Sequence, residues 1–249
     1  MLDNITPVIL TYNEAPNIER TLSELTWAKR IVVMDSFSDD ETQSICQRHA
    51  NVDFYQRKFD VLAEQWKAAI AQDIKTDWIL ALDADYVLTM DLHEELKTLE
   101  PTNEIQGYKT SFIYKIDGKP LRGTLYPPVV TLYRREGATY RQDGHAQRVI
   151  VDGKISVLQG KFFHDDRKPM SRWHNSQRNY AAQEAKKFQS LPFKAMNLND
   201  KIRYLGLGPL SVIPYTLIIR GVIFDGLAGL KYTWQRVIAE FYLLRARFK

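Results

Sequence analysis

Cysteine is nearly absent from this 249-residue sequence, where Cys46 stands alone. An intrachain disulfide is therefore excluded, and the composition fits a reducing compartment. Cys46 itself reads as a small apolar residue within a helix rather than as a reactive thiol. No basic region and apolar core precede the first strand-like run, so no secretory leader is expected and the chain is placed on the cytoplasmic side. The uncharged run 204–219 holds sixteen residues, two Gly and two Pro among them, and falls short of the roughly 20 residues that a membrane-spanning helix needs. Ile5–Glu14 contains no glycine, which counts against a glycine-rich phosphate loop at the first strand. Internal repeats and low-complexity tracts are also missing.

What is present suits a folded domain. Hydrophobic residues make up 45% and charged residues 26%, ordinary values for a globular chain long enough to bury a full core. The net charge of +4 is unevenly spread. Residues 1–160 carry 18 Lys and Arg against 24 Asp and Glu, whereas residues 161–249 carry 16 against 6. Such asymmetry points the C-terminal third toward an anionic surface, nucleic acid or phospholipid.

The first hundred residues alternate strand and helix signals, the pattern of a parallel α/β sheet. Strands are expected at Ile5–Thr11, Ile31–Asp35, Val52–Gln56 and Trp78–Leu82. Helices are expected from Pro16 to about Leu25, from a capping box at Ser38 and Glu41 to about Arg48, over Val61–Ala71 and over Asp91–Leu99. Beyond Pro101 the pattern shifts to strands at Tyr108–Lys115, Val129–Arg134, Arg148–Val151 and Lys161–His164, separated by turns, as in a mixed sheet. Amphipathic helices are expected over Ser171–Ser190 and Lys231–Lys249. The expected division is a nucleotide-binding half at 1–100, an acceptor-binding half at 101–170 and a basic, apolar helical region at 171–249.

Three strand ends carry chemistry. Asp83-Ala84-Asp85 closes the fourth strand; two carboxylates one residue apart can share a hard divalent cation while leaving positions for phosphate. Asp35 ends the second strand, where a carboxylate can accept hydrogen bonds from a base or ribose, or alternatively cap the turn that follows. Thr11-Tyr12-Asn13-Glu14 follows the first strand and can cradle a nucleoside, with Asn13 equally suited to a helix cap. Ligands in open α/β sheets sit beyond these carboxyl ends.

Taken together, strand–T-Y-N-E, strand–D-S-x-S-D-D-x-T and W-I-L-x-L-D-A-D resemble the nucleotide-binding half of family 2 glycosyltransferases with the GT-A fold, and in particular bacterial enzymes similar to lipopolysaccharide-core glucosyltransferases. The resemblance implies an inverting transfer of a hexose from a nucleotide sugar, UDP-linked, to a saccharide or lipid-linked acceptor in cell-envelope glycan synthesis. It places Tyr12, Glu14 and Asp35 at the nucleoside, with Lys58 and Gln65 as further donor-site residues. Asp83 falls at the ribose or metal and Asp85 on the metal, Mn²⁺ or Mg²⁺. Tyr86 departs from the pattern, because many relatives carry an acidic residue there.

The transfer calls for a general base outside the nucleotide half. Tyr140–Gln147 is the candidate segment, a polar loop before a strand. His145-Ala146 stands where many relatives carry His-Glu, which leaves Asp143 as the nearest carboxylate and His145 to shape the acceptor pocket. His164, before Asp165 and Asp166, is a candidate to complete a metal shell or contact the diphosphate, against a purely structural role. Around residues 204–249, Trp234, Phe241 and Tyr242 lie among Arg and Lys, as a peripheral element on the inner face of the plasma membrane requires; a buried helix pair or a dimer interface is the alternative. Asp225-Gly226 with Gly229 marks a connection between helices. Three rival functions follow: a polyprenyl-phosphate glycosyltransferase, a sugar-phosphate nucleotidyltransferase, and a non-catalytic nucleic-acid-binding protein. The last fails to explain three carboxylate-bearing strand ends, and no nucleic-acid partner is expected.

Overall fold

The structure is a computed structural model that describes residues 1–143 and 146–248. Its contacts divide the chain into two compact units. Unit 1 comprises Met1–Ile113, Tyr126–Gln142 and Gln147–Arg167, and unit 2 comprises Tyr114–Leu125, Asp143–Ala146 and Lys168–Lys249.

Unit 1 is built on alternating elements: β1 (Ile5–Thr11), α1 (Ile18–Ser23), β2 (Ile31–Asp35), α2 (Thr42–Cys46), β3 (Val52–Gln56), α3 (Leu62–Ile70), β4 (Trp78–Asp83), β5 (Tyr86–Leu88) and α4 (Met90–Thr98). Then follow β6 (Ile105–Ile116), whose last three residues fall in unit 2 together with β7 (Lys119–Pro120), and then β8 (Val129–Arg134), β9 (Thr139–Asp143), β10 (Ala146–Ile150) and β11 (Lys154–His164). The main sheet runs β3-β2-β1-β4-β8-β6-β11-β5, with β7 paired to the far end of β6, while β9 and β10 pair separately. β1 to β4 are mutually parallel, and β8 joins β4 antiparallel, so the sheet is mixed. Near-continuous apolar runs in β1, β2 and β4 are buried on both faces, as parallel strands covered by helices must be. Ile9, Val33, Leu80 and Leu82 pack on one side with Ile18 and Leu22 of α1; Val8, Val32 and Ile79 pack on the other with Trp66 of α3.

The register fixes what matters for function. Thr11 lies beside Asp35, and Leu10 lies beside Asp83, so the C-terminal ends of β1, β2 and β4 are neighbours.

Two local expectations fail. The capping box does not form: α2 starts at Thr42, and its first turn is held by Asp40, whose carboxylate accepts from the Thr42 N–H at 2.9 Å and from its hydroxyl. Ser38 is instead consumed by Asp35 (below). The stretch expected to be a polar loop over 140–147 is a strand as far as Asp143, anchored by Tyr140, whose ring stacks on Trp66 at 5.4 Å and whose hydroxyl meets that of Tyr133 at 2.5 Å.

Unit 2 contains α5 (Met170–Ser190), α6 (Leu198–Tyr204), α7 (Gly208–Pro214) and α8 (Gly226–Arg247), with 3-10 and π turns between them. Ala181, Ala185 and Phe188 of α5 pack with Leu243 of α8. A second cluster joins Tyr114, Ile116 and Leu121 to Val222 and Tyr232. No single helix among the described residues is long and apolar enough to cross a membrane.

Candidate active site

The loops after β1 and β2 are interlocked. Asn13 and Phe37 both adopt left-handed backbone, φ 55° and 60°, conformations that only Asn, of the two, tolerates cheaply. The Asn13 N–H donates to Ser38 Oγ at 2.7 Å, and Asn13 Oδ1 accepts from the Asp39 N–H at 2.8 Å. The Glu14 N–H donates to Thr42 Oγ1 at 2.7 Å. Asn13 thus ties two loops together rather than capping a helix. Glu14 accepts from Asn17 Nδ2 at 2.8 Å, and its carbonyl receives the first N–H groups of α1.

Asp35 is the centre of this knot. It is 0% exposed. One carboxylate oxygen accepts from Thr11 Oγ1 at 2.8 Å and Ser38 Oγ at 2.5 Å; the other accepts from the Ser38 N–H at 2.8 Å and Gln56 Nε2 at 3.2 Å. Such a buried charge is sustained only by a full set of donors. The sequence places Asp35 at a nucleoside; in this structure its four hydrogen bonds come from Thr11, Ser38 and Gln56. Next to it, buried Gln65 donates to Ser36 Oγ at 3.0 Å and accepts from Arg57 at 2.8 Å, while Lys58 is exposed. Tyr12 and Phe37 remain as exposed aromatics on the two locked loops. Phe37 went unnoticed in the sequence; its signal was a bulky aromatic between two serines on a strand-end loop.

The second part of the site lies where β4 and β11 end. Asp85 is 7% and His164 8% exposed, and Asp85 Oδ2 stands 3.1 Å from His164 Nε2. Burial disfavours a charged His164, but the charge and hydrogen bond of Asp85, with Asp83 and Asp166, outweigh it and raise its pKa above the usual value. Aromatic rings enclose the imidazole: Tyr126 at 4.6 Å, Tyr86 at 5.3 Å and Phe112 at 6.2 Å between centroids. Tyr86, which departs from the usual acidic residue, is therefore a wall of this box. Its buried phenol is pushed well above the normal range by desolvation and by Asp83 and Asp85.

Helix α1 fastens both strand ends. Thr21 Oγ1 donates to the Ala84 carbonyl at 2.7 Å, and Arg20 reaches Asp165 at 2.5 Å through its side chain and at 2.9 Å through its carbonyl. The Asp165 N–H in turn donates to the Asp85 carbonyl at 3.1 Å. Asn17 bridges to Asp166 at 2.9 Å and Arg167 at 2.8 Å. Sequence reasoning missed this clamp, since its partners are up to 150 positions apart.

Carboxylates beside an imidazole suit a hard or borderline divalent cation, and neighbouring ligands of an octahedral ion stand about 3 Å apart, the spacing found between Asp85 and His164. Asp83, half-buried at the end of β4, is near enough for its charge to bear on His164. Among the described residues no group of three His, Cys, Asp or Glu side chains stands so as to hold a metal ion, so an ion here would rely on phosphate oxygens and water besides this pair. Asp143 belongs to unit 2, where Lys187 Nζ lies 3.2 Å from it. His145 lies outside the described residues.

Parallel strands that end in these groups, continued by antiparallel ones, form the GT-A fold. The profile of glycosyl transferase family 2 matches residues 6–142, and the chain belongs to that family. An uncharacterized glycosyltransferase of Rickettsia bellii (strain RML369-C) is 26% identical over 148 residues, 55% of this chain and 48% of the relative. Another, from Rickettsia prowazekii (strain Madrid E), is 22% identical over 206 residues, 74% and 68% of the two chains. The chain spans about half the length of the first of these. Among solved structures, glucosyl-3-phosphoglycerate synthase from Mycobacterium tuberculosis, in complex with Mn²⁺, UDP and phosphoglyceric acid, has the same fold with TM-score 0.51 and 14% identity, over 76% of this chain and 80% of that one.

Proposed function

We propose that this chain is an inverting glycosyltransferase that moves a hexose from a UDP-sugar to a hydroxyl of a saccharide or lipid-linked acceptor in cell-envelope glycan synthesis, with lipopolysaccharide core as the favoured setting. The observation that carries the proposal is the buried Asp85–His164 pair, 3.1 Å apart, with Asp85 two residues beyond Asp83, which pairs with Leu10 next to the Thr11–Asp35 knot. The Mycobacterium tuberculosis structure with UDP and Mn²⁺ supports the same choice of donor and ion.

In this proposal Tyr12 and Phe37 offer faces for the uracil ring, while Glu14, Asp35, Gln65 and Lys58 set the pocket for the nucleoside and its phosphates. Asp85 and His164 would hold Mn²⁺ or Mg²⁺, with Asp83 beside them at the ribose or the ion; when bound, the ion offsets charge on the departing diphosphate. The acceptor oxygen attacks C1 from the face opposite the diphosphate and forms the new C–O bond as the old one breaks. Its proton passes to a carboxylate, for which Asp143 is the candidate, and His145 borders the acceptor. One displacement inverts the anomeric centre. Lys187 Nζ stands 3.2 Å from the Asp143 carboxylate.

The basic, apolar region 204–249 is proposed to rest on the inner membrane face, which favours a lipid-linked acceptor and keeps a polyprenyl-phosphate acceptor as the second reading. The test is a panel of UDP-, GDP- and dTDP-sugars with Mn²⁺ or Mg²⁺, the product anomer being read by NMR. Release of UDP with inversion is expected. No turnover of any nucleotide sugar, or retention of configuration, would end the proposal.

A further inference from the structure

Unit 2 contains a bend that the fold builds with care and then leaves uncovered. α7 continues through a π turn, Tyr215–Ile219, and a 3-10 turn, Val222–Asp225, leads into α8. The segments Gly208–Ile219 and Val222–Arg247 meet at 76°. Gly221 (φ 70°) and Gly226 (φ 61°) supply the left-handed backbone that the corner requires.

The hairpin segment Tyr114–Leu125 braces this corner. The Arg122 N–H donates to Asp225 Oδ2 at 2.9 Å, the Leu125 N–H donates to the Tyr232 hydroxyl at 2.7 Å, and Lys231 reaches Asp117 at 2.6 Å. Val222 is fully buried against this hairpin. A Cβ at Gly123 would stand 2.2 Å from the Arg220 carbonyl oxygen, and one at Gly229 1.8 Å from that of Val222. The corner is therefore a packed, fixed feature.

Its outer residues are the opposite. Ile218, Ile219, Ile223, Phe224 and Leu227 are all exposed, Phe224 by 74% and Leu227 by 84%. Contiguous apolar surface of this kind marks a docking face. Charge selects the occupant. Residues 201–249 hold eight Lys and Arg against two Asp and Glu, and both acids are spent internally, Asp225 on Arg122 and Glu240 on Arg203. A second copy would set cations against cations. An anionic leaflet takes up both the apolar corner and the cations around it. Neither arm is long and apolar enough to cross alone, and the two meet at 76°, a bend that suits entry and exit on one side.

We infer that the corner formed by Ile218, Ile219, Ile223, Phe224 and Leu227 is a monotopic wedge that inserts into one leaflet of an anionic phospholipid membrane, with Arg220 at headgroup level. The inference rests on the peripheral attachment proposed above and adds its mode and its residues.

The buried Cys46 makes the test clean, because a thiol placed at Phe224→Cys is the one open to a nitrobenzoxadiazole label. Full-length protein is floated with phosphatidylglycerol-containing vesicles, and a Met90→Cys label on α4 serves as the control. A blue shift and quenching by acyl-brominated lipid are expected at position 224 and not at position 90. Phe224→Ser with Leu227→Ser, both at exposed sites, should lower the partition coefficient by about tenfold or more with an unchanged melting temperature. Failure to float would remove the attachment proposal itself. Flotation with a water-like signal at 224 would leave attachment standing and overturn the wedge. A lipid-free shift that grows with protein concentration would give the surface to a second copy. Nucleotide-sugar turnover is measured apart from all three.

Discussion

The Thr21 hydroxyl donates to the carbonyl of Ala84, 2.7 Å away and fully buried, so a helix on one side of the sheet holds the middle residue of the Asp83–Asp85 turn. Thr21→Val keeps the shape and strands that carbonyl. A stability loss of about 1–3 kcal/mol is expected by denaturant unfolding, together with a lower kcat. Thr21→Ser should restore both, because it returns the donor.

Asp35→Asn tests the knot beneath the donor loops. The carboxylate accepts four hydrogen bonds, and an amide nitrogen can accept none of those directed at it. A loss of about 2–3 kcal/mol is expected, with weaker UDP binding by calorimetry as the loops loosen. Unchanged affinity in a variant shown to be destabilised would separate the knot from donor binding.

Phe37 carries a left-handed backbone, φ 60°, while its ring is 55% exposed, a combination that costs about 1–2 kcal/mol and persists where function uses it. Phe37→Gly should therefore raise the melting temperature slightly while weakening UDP-sugar binding severalfold. A variant that binds the donor as tightly as the natural chain would remove Phe37 from the site.

Cys46 is buried, and desolvation, with Asp35 adding to it, pushes its thiol up to about 12. The native protein should resist a disulfide reagent at pH 8 and react with one equivalent once unfolded. The unfolded thiol has the lower pKa, so its contribution to stability is complete below about pH 9 and is lost as pH climbs toward 12. Cys46→Ala should show a shallower decline over that window.

The parallel core was legible because buried strands read as unbroken apolar runs, and Ile31–Asp35 matches the observed β2 residue for residue; Val52–Gln56 matches the edge strand β3 through its β-favouring Val52, Phe54 and Tyr55. β5 was not, since three residues straight after a turn leave no period to detect. β9 was disguised by its polar Arg141 and Gln142, although Tyr140 points into the core. Ser38 failed as a cap because Asp35, three residues before it, takes the same hydroxyl. The three chemistry-bearing strand ends could be read locally. The Arg20–Asp165 clamp could not, because nothing in either segment names a partner 145 residues away.

The most direct test of the Asp85–His164 site is turnover of the preferred UDP-sugar with Mn²⁺ by Asp85→Ala, compared with the natural chain at matched folded concentration. On the proposed function Asp85 and His164 would share a cation with the leaving diphosphate, so kcat/KM should fall by about a hundredfold or more, with circular dichroism unchanged. Full activity in that variant would contradict the account.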